Sequence, residues 1–156
     1  MKEYLISKYN PQFRINGKYI RNEWSGESDI GKKFLDGILT QVEYDGTLDR
    51  YISCTMDILN SANIEYMTIS DLEIYVDQVP WKDHQTVEGD VLSLLIRDCL
   101  REKCWCRLLH RKAFVLFGYE LYLYLGCDLS YEKIVEICTQ YNLYVIERKS
   151  PYKSIE

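Results

Sequence analysis

The sequence predicts an α+β fold: a single domain over residues 1–156 in which a mixed or mainly antiparallel sheet carries about three helices. Two kinds of apolar spacing support this prediction. Three segments repeat apolar residues at helical spacing (46–63, 86–103 and 131–142), and five are strand-like (3–9, 64–76, 104–110, 113–126 and 143–148). Two of the strand-like segments follow each other directly, which favours a hairpin and antiparallel pairing.

The first forty residues contain one strand and little other regular structure. The stretch EYLISKY (3–9) is strand-like, and residues 10–19 predict a loop or hairpin with Asn16-Gly17 as the turn signal. Residues 22–34 are polar and predict an irregular segment. The first helix is therefore expected only after this region.

Apolar stripes mark the first two helices. Over 46–63, Thr47 is the expected N-cap residue and Asp49 suits the positive end of the helix; the stripe is Leu48, Tyr51, Ile52, Met56, Leu59 and Ala62. Over 86–103, Thr86 is the expected cap. Its stripe is Val87, Val91, Leu94, Leu95 and Cys99. We expect both stripes to face the sheet.

The last third of the chain predicts a hairpin, a helix and a closing strand. Residues 104–110 and 113–126 form the two arms of the hairpin, and Gly118 marks a bulge or bend in the second arm. Ser130 is the expected N-cap residue of the helix over 131–142. This hairpin is rich in aromatic side chains, which suit strands and contact surfaces.

The stretch SDLEIYVD (70–77) has two different faces. Leu72, Ile74 and Val76 alternate with Asp71, Glu73, Tyr75 and Asp77. Ser70 and Glu73 also have the spacing of a capping box, which would open a turn of helix. The alternation and the β-branched residues favour a strand, with its apolar half in the core and its acidic half in solvent.

Cysteine usage and the absence of membrane signals predict a cytoplasmic protein. The sequence shows no secretory signal peptide and no apolar run near the roughly 20 residues of a membrane helix. The six cysteines lie mostly inside apolar patterns, so we expect reduced core thiols rather than a disulfide framework.

The negative charge is confined to the middle of the chain. Residues 41–90 contain eleven Asp/Glu against two Lys/Arg, a net charge of −9, whereas 1–40 and 91–156 each have a net charge of +2. A surface of this kind repels nucleic acid and attracts a basic partner. An edge strand also uses charges to prevent aggregation, so any single carboxylate can be explained without a function.

Two constellations suggest metal chemistry. Cys104, Cys106 and His110 would share one side of a strand as in a zinc site, but a second pair of ligands is missing and a core strand is the favoured explanation. Asp128 with Glu147 and Lys149 resembles the Mg²⁺ site of restriction-endonuclease-like nucleases. Glu-x-Lys is common by chance, and no nucleophile or phosphate-loop motif accompanies either set. We therefore predict no catalytic residue, no metal and no cofactor.

Several blocks together resemble a known class of bacterial proteins: EYLISKYNPQFR, NEWSGESDIGKKF, LIRDCLREKCWCRLL, FVLFGYELYLYLG and LYVIERKSPY. They are similar to small cytoplasmic immunity proteins encoded beside polymorphic toxins, including those of contact-dependent growth inhibition systems. The resemblance implies tight binding and neutralisation of a cognate toxin C-terminal domain, often a nuclease that cuts tRNA or other RNA. It assigns no binding residue.

Charge and resemblance lead to one principal hypothesis. The protein is a non-enzymatic inhibitor whose acidic, Tyr- and Trp-containing surface contacts a basic toxin nuclease, without direct contact to nucleic acid or membrane. The candidate contact residues are Asp71, Glu73, Tyr75, Asp77, Trp81, Asp83, Glu88 and Asp90. Two alternatives stay open, the Mg²⁺-dependent nuclease and a small-molecule-binding regulatory module lined by the aromatic hairpin. The oligomeric state also stays open.

Overall fold

The computed structural model describes residues 1–152 and confirms the α+β fold. A seven-stranded sheet carries three helices, and every neighbouring strand pair is antiparallel. The helices are α1 (Gln41–Ser61), α2 (Gly89–Leu100) and α3 (Tyr131–Gln140). The strands are β1 (Lys2–Ser7), β2 (Arg14–Ile15), β3 (Lys18–Tyr19), β4 (Lys33–Phe34), β5 (Gly37–Ile38), β6 (Tyr66–Ile74), β7 (Thr86–Glu88), β8 (Cys104–His110), β9 (Ala113–Phe117), β10 (Leu123–Cys127) and β11 (Tyr144–Glu147).

The large sheet has the order β11-β1-β10-β9-β8-β6-β7, so β6 and β7 form one end of it. The three helices share one core with a single face of this sheet, since their buried side chains belong to one continuous cluster. The other face has a smaller cluster around Leu5, Leu116 and Tyr124. Tyr152 packs against this second cluster. The described helices therefore do not cover this second face of the sheet, where side chains including Tyr152 pack together.

Two small hairpins, β2–β3 and β4–β5, lie in the segment between β1 and α1. Asn16 and Gly17 join β2 to β3 with φ angles of 52° and 80°, which confirms the predicted turn. The helix α3 and the closing strand β11 also match the prediction, and the hydroxyl of Ser130 accepts the backbone N–H of Lys133 at 3.2 Å. Local signals were sufficient for these elements.

The start of α1 differs from the prediction. The helix begins at Gln41, and Thr40 caps it by accepting the N–H of Glu43 at 3.1 Å. Thr47 is instead buried inside the helix, where its hydroxyl donates to the carbonyl of Glu43 at 2.9 Å. The extra turn is stabilised by tertiary packing, because Tyr44 is fully buried there. Packing of this kind outweighs the low helix propensity of the nearby glycine.

The region around α2 also differs. Residues Thr86–Glu88 form β7 rather than the first helical turn, and Gly89, at φ 55°, turns the chain into the helix. Thr86 is therefore not a cap. The predicted stripe is also displaced: Val91 and Leu94 are 45% and 57% exposed, and the buried apolar side chains of α2 are Leu92, Leu95, Ile96, Cys99 and Leu100. Apolar residues occupy more of this helix than the core can cover.

The second arm of the predicted hairpin is two strands. Residues 113–126 divide into β9 and most of β10, and the N–H of Gly118 donates to the carbonyl of Tyr122 at 2.7 Å across the connecting turn. Glu120 and Leu121 have φ angles of 61° and 67°, so the turn uses left-handed conformations outside glycine. Of the predicted bulge or bend, Gly118 therefore marks a bend, at the start of a chain reversal.

The six cysteines are all buried and none forms a disulfide. Cys99 lies between two others, with its Sγ 3.7 Å from the Sγ atoms of Cys104 and Cys106. Within residues 1–152, no helix is both long and apolar enough to cross a membrane.

Candidate partner-binding surface

Strand β6 bends at Asp71. Asp71 has a φ of 54°, a left-handed conformation that aspartate tolerates better than most residues, and the pairing with β8 shifts between Ser70 and Glu73. Such a bulge bends the strand and increases its twist. Beyond it, Ile74 and Val76 are 51% and 42% exposed. The alternation therefore predicted the strand correctly, but the expected burial of its second apolar half is wrong.

Local contacts fix several of the predicted contact residues. The Asp71 carboxylate lies 3.3 Å from Nε of Arg107. The Asp83 carboxylate accepts a hydrogen bond of 2.9 Å from the backbone N–H of Leu72. The phenol of Tyr75 donates to Glu73 at 2.6 Å, and this hydrogen bond raises the pKa of Tyr75 to about 12. These side chains are exposed and already ordered, so binding would cost little further side-chain entropy.

Three other predicted carboxylates have no local partner. Asp77, Glu88 and Asp90 are exposed, and no ion pair or side-chain hydrogen bond engages them within the described chain. Glu88 lies on the edge strand β7, opposite Tyr66 of β6, and Asp90 is in the first turn of α2. Their charge is therefore not neutralised by contacts within the fold.

Trp81 differs from the other predicted contact residues. It is only 6% exposed, and its indole N–H donates to the carboxylate of Asp98 on α2 at 2.8 Å. This bond attaches the loop between β6 and β7 to the helix. Trp81 is therefore a structural anchor below the surface, and its ring is not available to a partner.

Several apolar side chains that were predicted to be in the core are exposed, and they lie on β6 and α2, near the predicted contact residues in the chain. Val91 and Leu94 are on α2, downstream of Asp90, and Ile74 follows the bulge in β6. Aliphatic side chains among unpaired carboxylates are typical of protein-contact surfaces, where an apolar centre has a polar rim. We call this set the acidic edge: Asp71, Glu73, Ile74, Tyr75, Asp77, Asp83, Glu88, Asp90, Val91 and Leu94.

A cavity of about 510 Å³ lies beside the acidic edge. Pairing across β6 and β8 places Glu73 opposite Trp105, on the sheet face without helices. The lining residues are Glu73, Tyr75, Cys99, Glu102, Cys104, Trp105, Phe117, Gly118, Tyr119 and Tyr152. The sequence pointed to Glu73 and Tyr75 and to an aromatic hairpin. That residues of other elements line the same cavity could be known only from the pairing of the strands.

The residues of the nuclease hypothesis are separated by a strand. Asp128 follows β10 and Glu147 ends β11, while β1 lies between these two strands. Each carboxylate already faces a cation: Asp128 is 3.9 Å from the N-terminal amine of Met1, and Glu147 is 3.6 Å from Nζ of Lys2. Lys149 lies beyond β11 and is exposed. The described chain therefore does not bring these carboxylates together.

The three residues of the zinc hypothesis are also not brought together. Cys104 and Cys106 point into the core beside Cys99, whereas His110 packs edge-on against Tyr66 with ring centroids 4.9 Å apart. Burial and the neighbouring cations Arg111 and Lys112 lower the pKa of His110. Over residues 1–152, no group of three His, Cys, Asp or Glu side chains is arranged to hold a metal.

No protein-family model, no curated protein and no solved structure matches this chain.

Proposed function

We propose that this protein is an immunity protein that binds and neutralises the C-terminal domain of a cognate bacterial toxin in the cytoplasm, without catalysis of its own. One observation supports it most: Asp77, Glu88 and Asp90 carry charge that no contact within the described fold neutralises, and the exposed Val91 directly follows Asp90 in the chain. The charge of −9 over 41–90 and the resemblance of several sequence blocks to immunity proteins also support it.

The chemistry of the acidic edge favours a basic nuclease, in particular a ribonuclease or tRNase. Such an enzyme holds phosphates, so its substrate cleft carries positive charge. A carboxylate surface complements that cleft and speeds association, up to about 10⁸–10⁹ M⁻¹s⁻¹ at low salt. Fast capture suits an inhibitor that must act before the toxin cuts RNA.

The direct experiment pairs this protein with the C-terminal domain encoded immediately upstream of its gene. We expect a stable complex on size exclusion and loss of the toxin's RNA cleavage at a 1:1 ratio. A toxin domain from an unrelated system serves as the control and should stay active. Absence of a complex, or a metabolic gene in the upstream position, would contradict the proposal.

A charge variant locates the interface. Asp77→Asn, Glu88→Gln and Asp90→Asn combined should slow association about tenfold at low salt and reduce its salt dependence, because long-range attraction is lost. Stopped-flow mixing at several salt concentrations measures both. The matched control removes three exposed carboxylates elsewhere: Asp36→Asn, Glu132→Gln and Glu136→Gln. Equal slowing by both variants would exclude the acidic edge as the contact surface.

The aromatic cavity favours a second candidate, a small-molecule-binding regulatory module. A cavity of about 510 Å³ with apolar walls and two carboxylates is of the size that holds a metabolite. A melting-temperature screen against cellular metabolites tests it. A clear upward shift that Trp105→Phe abolishes would support this function, and no shift across the screen would reject it.

A further inference from the structure

The cavity beside the acidic edge combines aromatic walls with carboxylates. Tyr75 and Tyr119 are 57% and 79% exposed, and these two rings stand where the cavity meets solvent. Trp105 and Tyr152, which also line the cavity, are partly buried, and their ring centroids lie 5.6 Å apart with an angle of 51° between the ring planes. Glu73 and Glu102 line the same cavity. It is thus an open aromatic pocket with two negative charges.

The polar hydrogens of two of its aromatic side chains already form hydrogen bonds within the protein. The indole N–H of Trp105 donates to the carbonyl of Phe117 at 2.8 Å, and the phenol of Tyr75 donates to Glu73 at 2.6 Å. Each of these rings therefore offers a ligand mainly its π face, which carries partial negative charge. The hydrogen bonds also hold the rings in place before a ligand arrives.

The charged groups of the pocket accept hydrogen bonds. Glu73 and Glu102 are acceptors when ionised. Among residues 1–152, the lining side chains include no lysine, arginine or histidine that would compete for these carboxylates. Ring faces and carboxylates together select a flat cation rich in N–H donors. The guanidinium group of arginine has this shape and charge, whereas an ammonium group is compact and more strongly hydrated.

We propose that this pocket receives an arginine side chain of the basic partner, stacked on the aromatic faces and hydrogen-bonded to Glu73 and Glu102. This assignment rests on the proposed function for the identity of the partner. A protein side chain is favoured because the pocket opens at the acidic edge: Glu73 and Tyr75 belong to both, so a protein covering that edge would reach the pocket. Aromatic pockets of this kind supply the energetic centre of many interfaces.

The first experiment needs no toxin. The protein is titrated with N-acetyl-arginine amide, with its neutral citrulline analogue and with N-acetyl-lysine amide, and the three indole N–H resonances are followed by NMR. We expect the arginine probe to shift the Trp105 resonance, assigned with Trp105→Phe, and to leave those of the buried Trp24 and Trp81 in place. The citrulline analogue should not bind, and the lysine probe should bind more weakly.

Variants test the lining residues. Glu73→Gln, Glu102→Gln and Tyr119→Ala should each weaken the arginine probe about fivefold, as expected for loss of one charge or one ring face. Tyr119 is largely exposed, so its removal leaves the fold intact. Glu65→Gln is the control, because Glu65 is exposed in the same acidic segment but does not line the pocket. An equal effect of this control would show general charge attraction and overturn the assignment.

The outcomes separate the pocket from the proposed function. No shift of the Trp105 resonance, or equal binding of the arginine probe and either of the others, overturns the pocket even if a toxin complex forms. A shift with the arginine probe alone supports the pocket even if the upstream domain fails to bind. With a complex in hand, Glu73→Gln combined with Glu102→Gln should weaken it at least tenfold more than Glu65→Gln. Unchanged affinity would mean that the partner does not use the pocket.

Discussion

The two halves of β6 have the same sequence pattern and opposite environments. In the first half, Met67 and Ile69 alternate with polar residues and are completely buried. In the second half and just beyond, Ile74 and Val76 alternate in the same way and are 51% and 42% exposed. Alternation decides which face of a strand a side chain takes, whereas burial requires another layer of structure over that face.

The difference arises at the bulge. Before Asp71, the strand lies between β7 and β8 and contributes to the core shared with the helices. After it, the strand pairs with β8 alone, through Glu73 and Ile74. Its second half thus becomes an exposed edge with carboxylates on it and a cavity at its side. The part of the acidic edge around Glu73, Ile74 and Tyr75 is exposed because the fold stops covering β6 there.

The largest expected effect comes from truncating one side chain in each half. Met67→Ala should lower the free energy of unfolding by about 2–5 kcal/mol, because it leaves a cavity in the core. Ile74→Ala should change it by less than about 0.5 kcal/mol. Urea denaturation followed by circular dichroism measures both. Similar losses for the two variants would contradict the contrast between the halves.

The next effect concerns the bulge itself. Asp71→Val should cost about 1–3 kcal/mol, because a β-branched residue is strained at a φ of 54°. Asp71→Gly accepts that angle and loses the contacts of the carboxylate with Arg107 and Ser70, both at an exposed position, so it should cost less than the valine variant. The same denaturation experiment compares them. A valine variant as stable as the glycine variant would show that the strand does not need the left-handed residue.

A buried charge gives a smaller effect that depends on pH. The Lys8 ammonium lies 4.3 Å from the ring centroid of Trp24, with Glu23 3.7 Å away, and its side chain is 7% exposed. Burial lowers the pKa of Lys8 from 10.5 to about 8. Between pH 8 and 10 the unfolded chain therefore binds more protons at this residue than the folded chain, so its contribution to stability rises with pH.

Comparison with Lys8→Met isolates this contribution. The difference in free energy of unfolding, wild type minus variant, should increase on the order of 1 kcal/mol from pH 8 to pH 10. Using the difference cancels the contributions of all groups that the two proteins share. A difference that is constant or falls with pH would refute the lowered pKa. Glu65→Gln, at an exposed position that makes no contact with Lys8, is the reference variant.

The smallest effect is expected at Leu94. Leu94→Ser should change stability by less than about 0.5 kcal/mol, whereas Leu95→Ala, at the neighbouring buried position, should cost about 2–5 kcal/mol. If the acidic edge binds a toxin, Leu94→Ser should also speed dissociation of the complex. A large loss of stability in Leu94→Ser would mean that Leu94 faces the core, as the apolar spacing of α2 predicts.

The candidate site could be predicted in part. Sequence alternation and the local charge placed Glu73 and Tyr75 on an exposed acidic strand; both are exposed, Glu73 on β6 and Tyr75 directly after its end. The same reasoning placed Trp81 on the surface, but its N–H finds Asp98, seventeen residues later, and the ring is buried. A loop tryptophan carries no local signal for such a partner. Strand pairing and the path of the chain up to Tyr152 are what bring Trp105, Tyr119 and Tyr152 to the same cavity as Glu73.

By itself the sequence determined the α+β class, the third helix with its Ser130 cap, the Asn16-Gly17 turn and the concentration of negative charge in residues 41–90. These features depend on residue spacing, helix capping and composition, which can be read from the sequence without knowing which elements pack together. The tertiary structure alone decided that Thr86–Glu88 joins the sheet, that β6 bends at Asp71, and which side of α2 is buried. Each of these depends on what packs against an element, and no local pattern contains that information.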